Sequence, residues 1–328
     1  MSREFYEGFE TRDLSLWDGV VGAPTIVSGI SGMNGYCLKC APSQYPWKNL
    51  TPRQERYFHI KWRPTVSSGS WGNSLVFYYN STRLMSVIRN FDSGRGDYFL
   101  NIRTSGSTYP AWSDLPIRVN TTYTVEVYYK VHPTNGVITV KIDGVEWLTW
   151  YGNTSSGNIT TCNKISLEPI SSYDYPYFDD LIIDTENWIG LAALGFMKTT
   201  AAGDLVGWTP SSEPAYNCLN ETPISMERFL TTADPASALF AVTDPPSIGT
   251  NVVKGLQLMT LGTITGSPAA MYHRQLLKSN GLVDRGDQRS LPSALNPLCR
   301  MMELNPTTGQ RFTEHDLVNL QIGLEAEV

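Results

Sequence analysis

The stretch from Tyr123 to Trp150 limits the fold more than any other part of the chain. It reads TYTVEVYYK, VHPTNG, VITVKIDG and VEWLTW. Tyr123, Val125, Val127 and Tyr129 share one parity, and Thr124, Glu126, Tyr128 and Lys130 share the other, so a strand here buries one face and wets the other. Val137, Thr139 and Lys141 alternate in the same way with Ile138, Val140 and Ile142. Asn135-Gly136 and Asp143-Gly144 supply residues that tolerate positive φ at the two reversals. The segment predicts an antiparallel β-meander and hence an all-β fold. Glu126 and Glu146 are expected to face solvent.

Similar short strands with turn residues between them run through the first part of the chain. RYFHIKWRPTV at 56–66 alternates and ends at Pro64. SLVFYYN, RLMSVIRNF and YFLNIRT follow, and KISLEPI and YFDDLIIDTE come after the meander. Regular spacing of this kind predicts an antiparallel jelly-roll sandwich. At 328 residues the chain is long for one domain. Charge falls and Ala, Gly and Thr rise near Asn187–Gly195, placing a first domain at 1–186 and a second, smaller β-domain at 187–328. Leu256, Leu258 and Thr260 alternate with Gln257, Met259 and Leu261 in a run expected to be a buried central strand. Near the C-terminus, RFTEHDLVNLQIG predicts a short helix. Thr313 is its N-cap, Glu314 and Asp316 fill its first turn, Phe312 staples on Leu317, and Leu317, Val318 and Ile322 form its apolar stripe.

Charged residues make up 17% of the chain and the net charge is -6, which argues against nucleic acid as a partner. MSREFYEGFE has no apolar leader, and no apolar run approaches the length of a membrane span, so no membrane insertion is expected. Cys37 and Cys40 form a C-x-x-C on a strand-like run that points the thiols to opposite faces. With no second pair and four scattered histidines, the five cysteines read as buried, idle thiols, and no cofactor is expected.

The chemistry-bearing motifs are sparse. G-x-S-x-G, phosphate-loop, H-E-x-x-H and G-x-G-x-x-G patterns are absent. Glycoside cleavage on a sandwich uses paired carboxylates, whereas Glu126, Glu146 and Glu168 stand alone. Asp179, Asp180 and Asp184 form the one acidic cluster, read as the outward end of the closing strand, and metal binding is left open. Two R-G-D tripeptides, at Arg95–Asp97 and Arg285–Asp287, fall at turns. No catalytic residue is therefore assigned, and the chain is expected to be non-enzymatic. Tyr45, Trp47, Trp71, Tyr109 and Trp112, in loop-like segments, are the expected contact platform for a glycan or partner.

The FYEGFE opening, GVITVKIDGVEW and the closing FDDLIID together resemble the concanavalin A-like (laminin-G-like) jelly-roll family, although its glucanases' acidic signature is missing. GWTPSSEPAYNCLNETP and NPTTGQRFTEHDL resemble the C-terminal module of tailed-bacteriophage virion proteins, with Phe312 where Trp is frequent. The resemblance implies a structural component of a phage particle, in tail or capsid decoration. Such a component assembles in the bacterial cytoplasm with other virion proteins as a homo-oligomer and adheres to host-surface glycan. The alternatives are a polysaccharide-degrading enzyme on the same scaffold, with Asp180 and Asp184 contributing, or a stand-alone lectin.

Overall fold

The computed structural model describes residues 2–65, 72–106, 108–169, 175–220, 227–232, 234–245, 252–264, 272–291 and 293–327. The chain divides into two compact units, Ser2–Leu194 and Gly195–Val328. Residues 187–194, placed with the second domain from sequence, belong to the first unit.

The first unit contains β1 (Arg3–Glu7), β2 (Gly19–Val21), β3 (Thr25–Ser28), β4 (Tyr36–Lys39), β5 (Tyr45–Arg53), β6 (Glu55–Arg63), β7 (Gly72–Tyr79) and β8 (Thr82–Asp92). It continues with β9 (Asp97–Thr104), β10 (Ala111–Pro116), β11 (Tyr123–Lys130), β12 (Gly136–Ile142), β13 (Val145–Gly152), β14 (Cys162–Ser166) and β15 (Tyr177–Asp184). These strands form an eight-stranded sheet, ordered β13-β12-β11-β6-β15-β4-β3 with β1 also on β15, and a seven-stranded sheet, ordered β10-β9-β8-β7-β14-β5-β2. All pairings are antiparallel, as in the predicted jelly-roll sandwich.

The meander supplies β11, β12 and β13 as expected, paired from Val125 opposite Ile142 to Lys130 opposite Val137. Its inward residues meet the other sheet: the Phe58 and Phe77 rings lie 5.0 Å apart, and Phe77 and Tyr129 4.8 Å. Each such fully buried side chain contributes about 1.5–3 kcal/mol of apolar transfer. Arg56, wholly buried, ion-pairs with Glu4 at 2.6 Å and donates to the Tyr129 hydroxyl and the Cys162 carbonyl, joining β6, β11 and β14 to β1. The second reversal uses positive φ at Asp143 and Gly144, as expected. The first does not. There the His132 Nδ1 accepts from the backbone N–H groups of Thr134 and Asn135, and Gly136 is needed for space, because a Cβ there would sit 2.0 Å from Thr154 Oγ1.

The second unit contains β16 (Thr199–Val206), β17 (Thr209–Pro210), β18 (Leu230–Thr231), β19 (Ala236–Val242), β20 (Leu256–Gly262), β21 (Tyr272–Ser279), β22 (Leu282–Arg285), β23 (Arg289–Ser290), β24 (Asn296–Met302), α1 (Glu314–Leu317) and β25 (Gln321–Glu327). Its main sheet runs β16-β19-β25-β21-β22, with β23 on β21. The run expected as a buried central strand, β20, pairs with β24 alone among the described residues, and Leu258 is its one buried residue. Thr313 is the N-cap as expected and forms a capping box with Asp316, and Phe312 and Leu317 join Leu258, Leu277, Met302 and Leu320 in the core. The helix stops after a single turn. Val318 is exposed and Ile322 lies on β25, so the predicted apolar stripe is split between helix and strand.

Candidate functional site

The outer face of the eight-stranded sheet is closed by the chain itself. His59 and Glu126 stand opposite each other on β6 and β11, and both are buried. Residues 187–194 run over them: Gly190 N–H donates to Glu126 Oε1 at 2.7 Å and Leu194 N–H to Asp180 Oδ1 at 2.9 Å. Trp188 packs against Tyr57 and Tyr128, with the Lys141 ammonium 3.8 Å from its ring centre. Glu126 is therefore not solvated, contrary to the reading from alternation, which registers the face of a residue but not what later covers it.

The Asp179, Asp180 and Asp184 cluster is not an exposed strand end either; all three are buried. β15 is irregular between Asp179 and Ile182, and Asp180 takes positive φ. Asp180 pairs with Lys61 at 2.8 Å, Asn34 contacts both Asp179 and Asp180, and Arg3 pairs with Asp184. Burial, with the charge of Asp180 second, pushes the Asp179 carboxyl up. These carboxylates hold the fold together. Among the described residues no group of three or more His, Cys, Asp and Glu is arranged to hold a metal ion. Burial likewise pushes the Cys37 thiol up to about 12, so that cysteine stays protonated.

The outer face of the seven-stranded sheet differs. Directly opposed residues in an antiparallel pair share a face, and the register gives a transverse row Trp47, Ser166, Val76, Ser86, Arg103. Neighbouring rows hold Lys164, Tyr78 and Arg83, and Ile88, Asn101 and Trp112. The centre is built around Glu168, two residues past Ser166 and 5% exposed. It accepts from the Tyr78 hydroxyl at 2.6 Å, from the Ser166 hydroxyl, and from Arg83 at 3.3 Å. Burial, aided by that bond to Glu168, pushes the Tyr78 hydroxyl up to about 12. The Lys164 ammonium lies 4.3 Å from the Trp47 ring centre and 5.5 Å from that of Tyr78. Glu168 stood alone in the sequence; the pairing of β7, β8 and β14 brings its partners to it.

The floor of this face carries unpaired polar atoms. The Ser86 hydroxyl and both amide atoms of Asn101 are buried without a hydrogen-bond partner among the described residues. Leaving such a group unmade costs about 1–3 kcal/mol, so their presence on this face calls for a reason.

The five expected contact residues divide. Tyr45 and Trp47 lie on β5, and Trp47 packs over Gly19, where a Cβ would come within 2.2 Å of its ring. Tyr109 and Trp112 lie at the other margin, in and just before β10, with ring centres 6.4 Å apart. At a strand spacing of about 4.8 Å, β5 and β10 are roughly 24 Å apart. The four thus form two flanks of one face, with the Tyr78–Glu168 cluster between them. Trp71 lies outside the described residues. The turn reading of the R-G-D tripeptides agrees with their contacts: Arg95 pairs with Asp92, Asp97 with Arg118, and Arg285 with Glu325.

No protein-family model matches the chain. No curated protein matches it either. Several solved structures resemble it in fold. An endo-β-1,4-glucuronan lyase from the fungus Trichoderma reesei is 12% identical over 56% of this chain and 96% of its own, with a TM-score of 0.41. The alginate lyase Aly36B is 11% identical over 57% of this chain and 99% of its own, with a TM-score of 0.43. The cellulose-induced protein Cip1 is 13% identical over 58% of this chain and all of its own (100%), also with a TM-score of 0.43. At these identities the likeness concerns the fold alone. The expectation of a non-enzymatic chain is corrected all the same, because catalysts stand among the solved structures of similar fold. That expectation came from a search for paired carboxylates along single strands.

Proposed function

We propose that the first unit binds a polysaccharide across the outer face of the seven-stranded sheet and cleaves its glycosidic bonds there. One observation carries this reading: the 2.6 Å hydrogen bond from Tyr78 to the buried Glu168, between two aromatic flanks. A tyrosine pushed up to about 12 stays protonated at neutral pH, so its hydroxyl can give its proton to the glycosidic oxygen as that C–O bond breaks. Water adds its hydroxyl to the anomeric carbon, and Glu168 takes the second water proton and returns it to Tyr78. Arg83 and Ser166 keep the carboxylate oriented as the charge shifts. Aromatic residues at both margins offer ring faces to sugars.

The test is incubation of the full chain with a panel of neutral and anionic polysaccharides, reading new chain ends. Tyr78→Phe keeps the ring and removes the proton, so kcat should fall about 10²–10⁴-fold with binding retained. Absence of product from every polymer, or full turnover by Tyr78→Phe, would overturn the catalytic reading.

We also propose that the second unit attaches the chain to a tailed-phage particle in several copies. The ending NPTTGQRFTEHD, one of the two stretches that carry that resemblance, is internally bonded: Asn305 and Thr313 both bond Asp316, and Phe312 is buried. Mass spectrometry of purified particles checks this; particles lacking the chain would sink it.

A further inference from the structure

Ser86 and Asn101 lie on β8 and β9, wholly buried and without a hydrogen-bond partner among the described residues. Register places both on the outer face of the seven-stranded sheet, Ser86 between Val76 and Arg103, and Asn101 between Ile88 and Trp112. An amide carries donors on Nδ2 and an acceptor on Oδ1, and a hydroxyl is both at once. The group that completes them must therefore give hydrogen bonds as well as take them. A sugar hydroxyl does so; a carboxylate or sulfate only accepts, and would leave Asn101 Oδ1 unpaired.

The charges of this face point the same way. Arg83, Arg103 and Lys164 stand on it with Glu168, Asp92 and Asp97, three cations to three carboxylates. Arg83 donates to Glu168, Asp92 pairs with Arg95, and Asp97 pairs with Arg118. The Arg103 guanidinium lies 6.0 Å from the Tyr109 ring centre, and Lys164 rests on the Trp47 and Tyr78 rings. The face is thus balanced and its cations are engaged. The whole chain, at a net charge of -6, repels a polyanion besides.

We propose that this face takes an uncharged polysaccharide, with the Asn101 amide and the Ser86 hydroxyl paired to sugar hydroxyls beside Trp112. Both groups are wholly buried in the free chain, so the sugar reaches them as a neighbouring side chain moves. Trp112, opposed to Asn101 and half-buried, is the neighbour at the sheet margin. Hydrolysis suits such a substrate because it asks for no carboxyl group on the sugar, whereas elimination takes its proton from the carbon next to one. This assignment rests on the binding and cleavage reading above and names its substrate class.

Calorimetry and turnover of the full chain with xylan, galactomannan and β-glucan, set against polygalacturonate and hyaluronate, test it. At least one neutral polymer should bind about tenfold more tightly than either acidic one, with an affinity that salt leaves unchanged. Asn101→Leu should weaken that polymer about tenfold while Tm holds or rises, because an apolar side chain of similar size replaces an unpaired amide. Ser86→Ala, which adds no atom to the core, should weaken it several-fold at unchanged Tm. Tighter binding of an acidic polymer would overturn the subsite. Normal binding by either variant would overturn it as well, since water alone would then complete that group. Cleavage confined to acidic polymers would overturn it and leave the Tyr78–Glu168 reading intact. Full turnover by Tyr78→Phe, with neutral binding still lost in Asn101→Leu, would do the reverse, and binding of none of the polymers would overturn both.

Discussion

The two outer faces of the first unit's sandwich are opposite solutions to the same problem. Both carry polar and ionisable groups on alternating strand positions. On the eight-stranded sheet, residues 187–194 lie across them, and Glu126 and Asp180 each receive a backbone N–H from that segment. On the seven-stranded sheet, Ser86 and Asn101 are buried with no partner among the described residues, while Glu168 is held by side chains alone. Unpaired buried groups weaken a fold, and proteins keep them mainly where something else completes them. The first face is therefore a stability device, and the second is the one on which we propose polysaccharide binding.

Substitutions sharpen the contrast. The largest stability effect is expected at Asp180, whose removal leaves Lys61 without its partner, Leu194 N–H without its acceptor and a non-glycine residue at positive φ. Asp180→Ala should cost about 3–5 kcal/mol in denaturant unfolding. Asp180→Asn, which tolerates that φ and keeps an acceptor, should cost less. Equal losses in both would mean that the charge alone matters.

His59, beneath the same segment, should have a smaller and pH-dependent effect. Burial, with Lys61 and Arg3 nearby, lowers its pKa to about 4, against the backbone of Ala192 and Gly190, which raises it. The unfolded chain binds this proton first as pH falls, so stability should drop from about pH 6.5 toward pH 4, by about 2 kcal/mol at pH 5. His59→Gln should flatten that limb in a pH series of unfolding curves; an unchanged slope would show that the loss arises elsewhere.

The smallest effect belongs to the other face. Ser86→Ala removes an unpaired hydroxyl and should shift stability by no more than about 0.5 kcal/mol, or raise it, while weakening polysaccharide binding. A clear loss of stability would mean that Ser86 has a structural partner and would erase the difference between the faces.

Much of the scaffold was legible beforehand because period-two alternation follows directly from strand geometry. The register of Tyr123–Trp150, the Asp143-Gly144 turn and the Thr313 cap all depend on neighbours within a few residues. The reading failed where a distant segment intervened. Glu126 was taken as solvated until the chain returned over it more than sixty positions later, and the Asn135-Gly136 reversal is held by His132 and crowded by Thr154. The candidate site was the least legible part. Tyr45, Trp47, Tyr109 and Trp112 were named from sequence, but Tyr78 and Glu168, 90 residues apart, carry no motif.

The sequence by itself determined the all-β class, the strands of the first unit and the capped ending of the second, because local sterics and side-chain alternation decide those. Only the tertiary structure decided which acids are covered by residues 187–194 and which one is ringed by a tyrosine, a serine and an arginine. A carboxylate's role depends on its close neighbours, and strand pairing across long loops put Tyr78 and Arg83 beside Glu168, while Ser166 is near it in sequence.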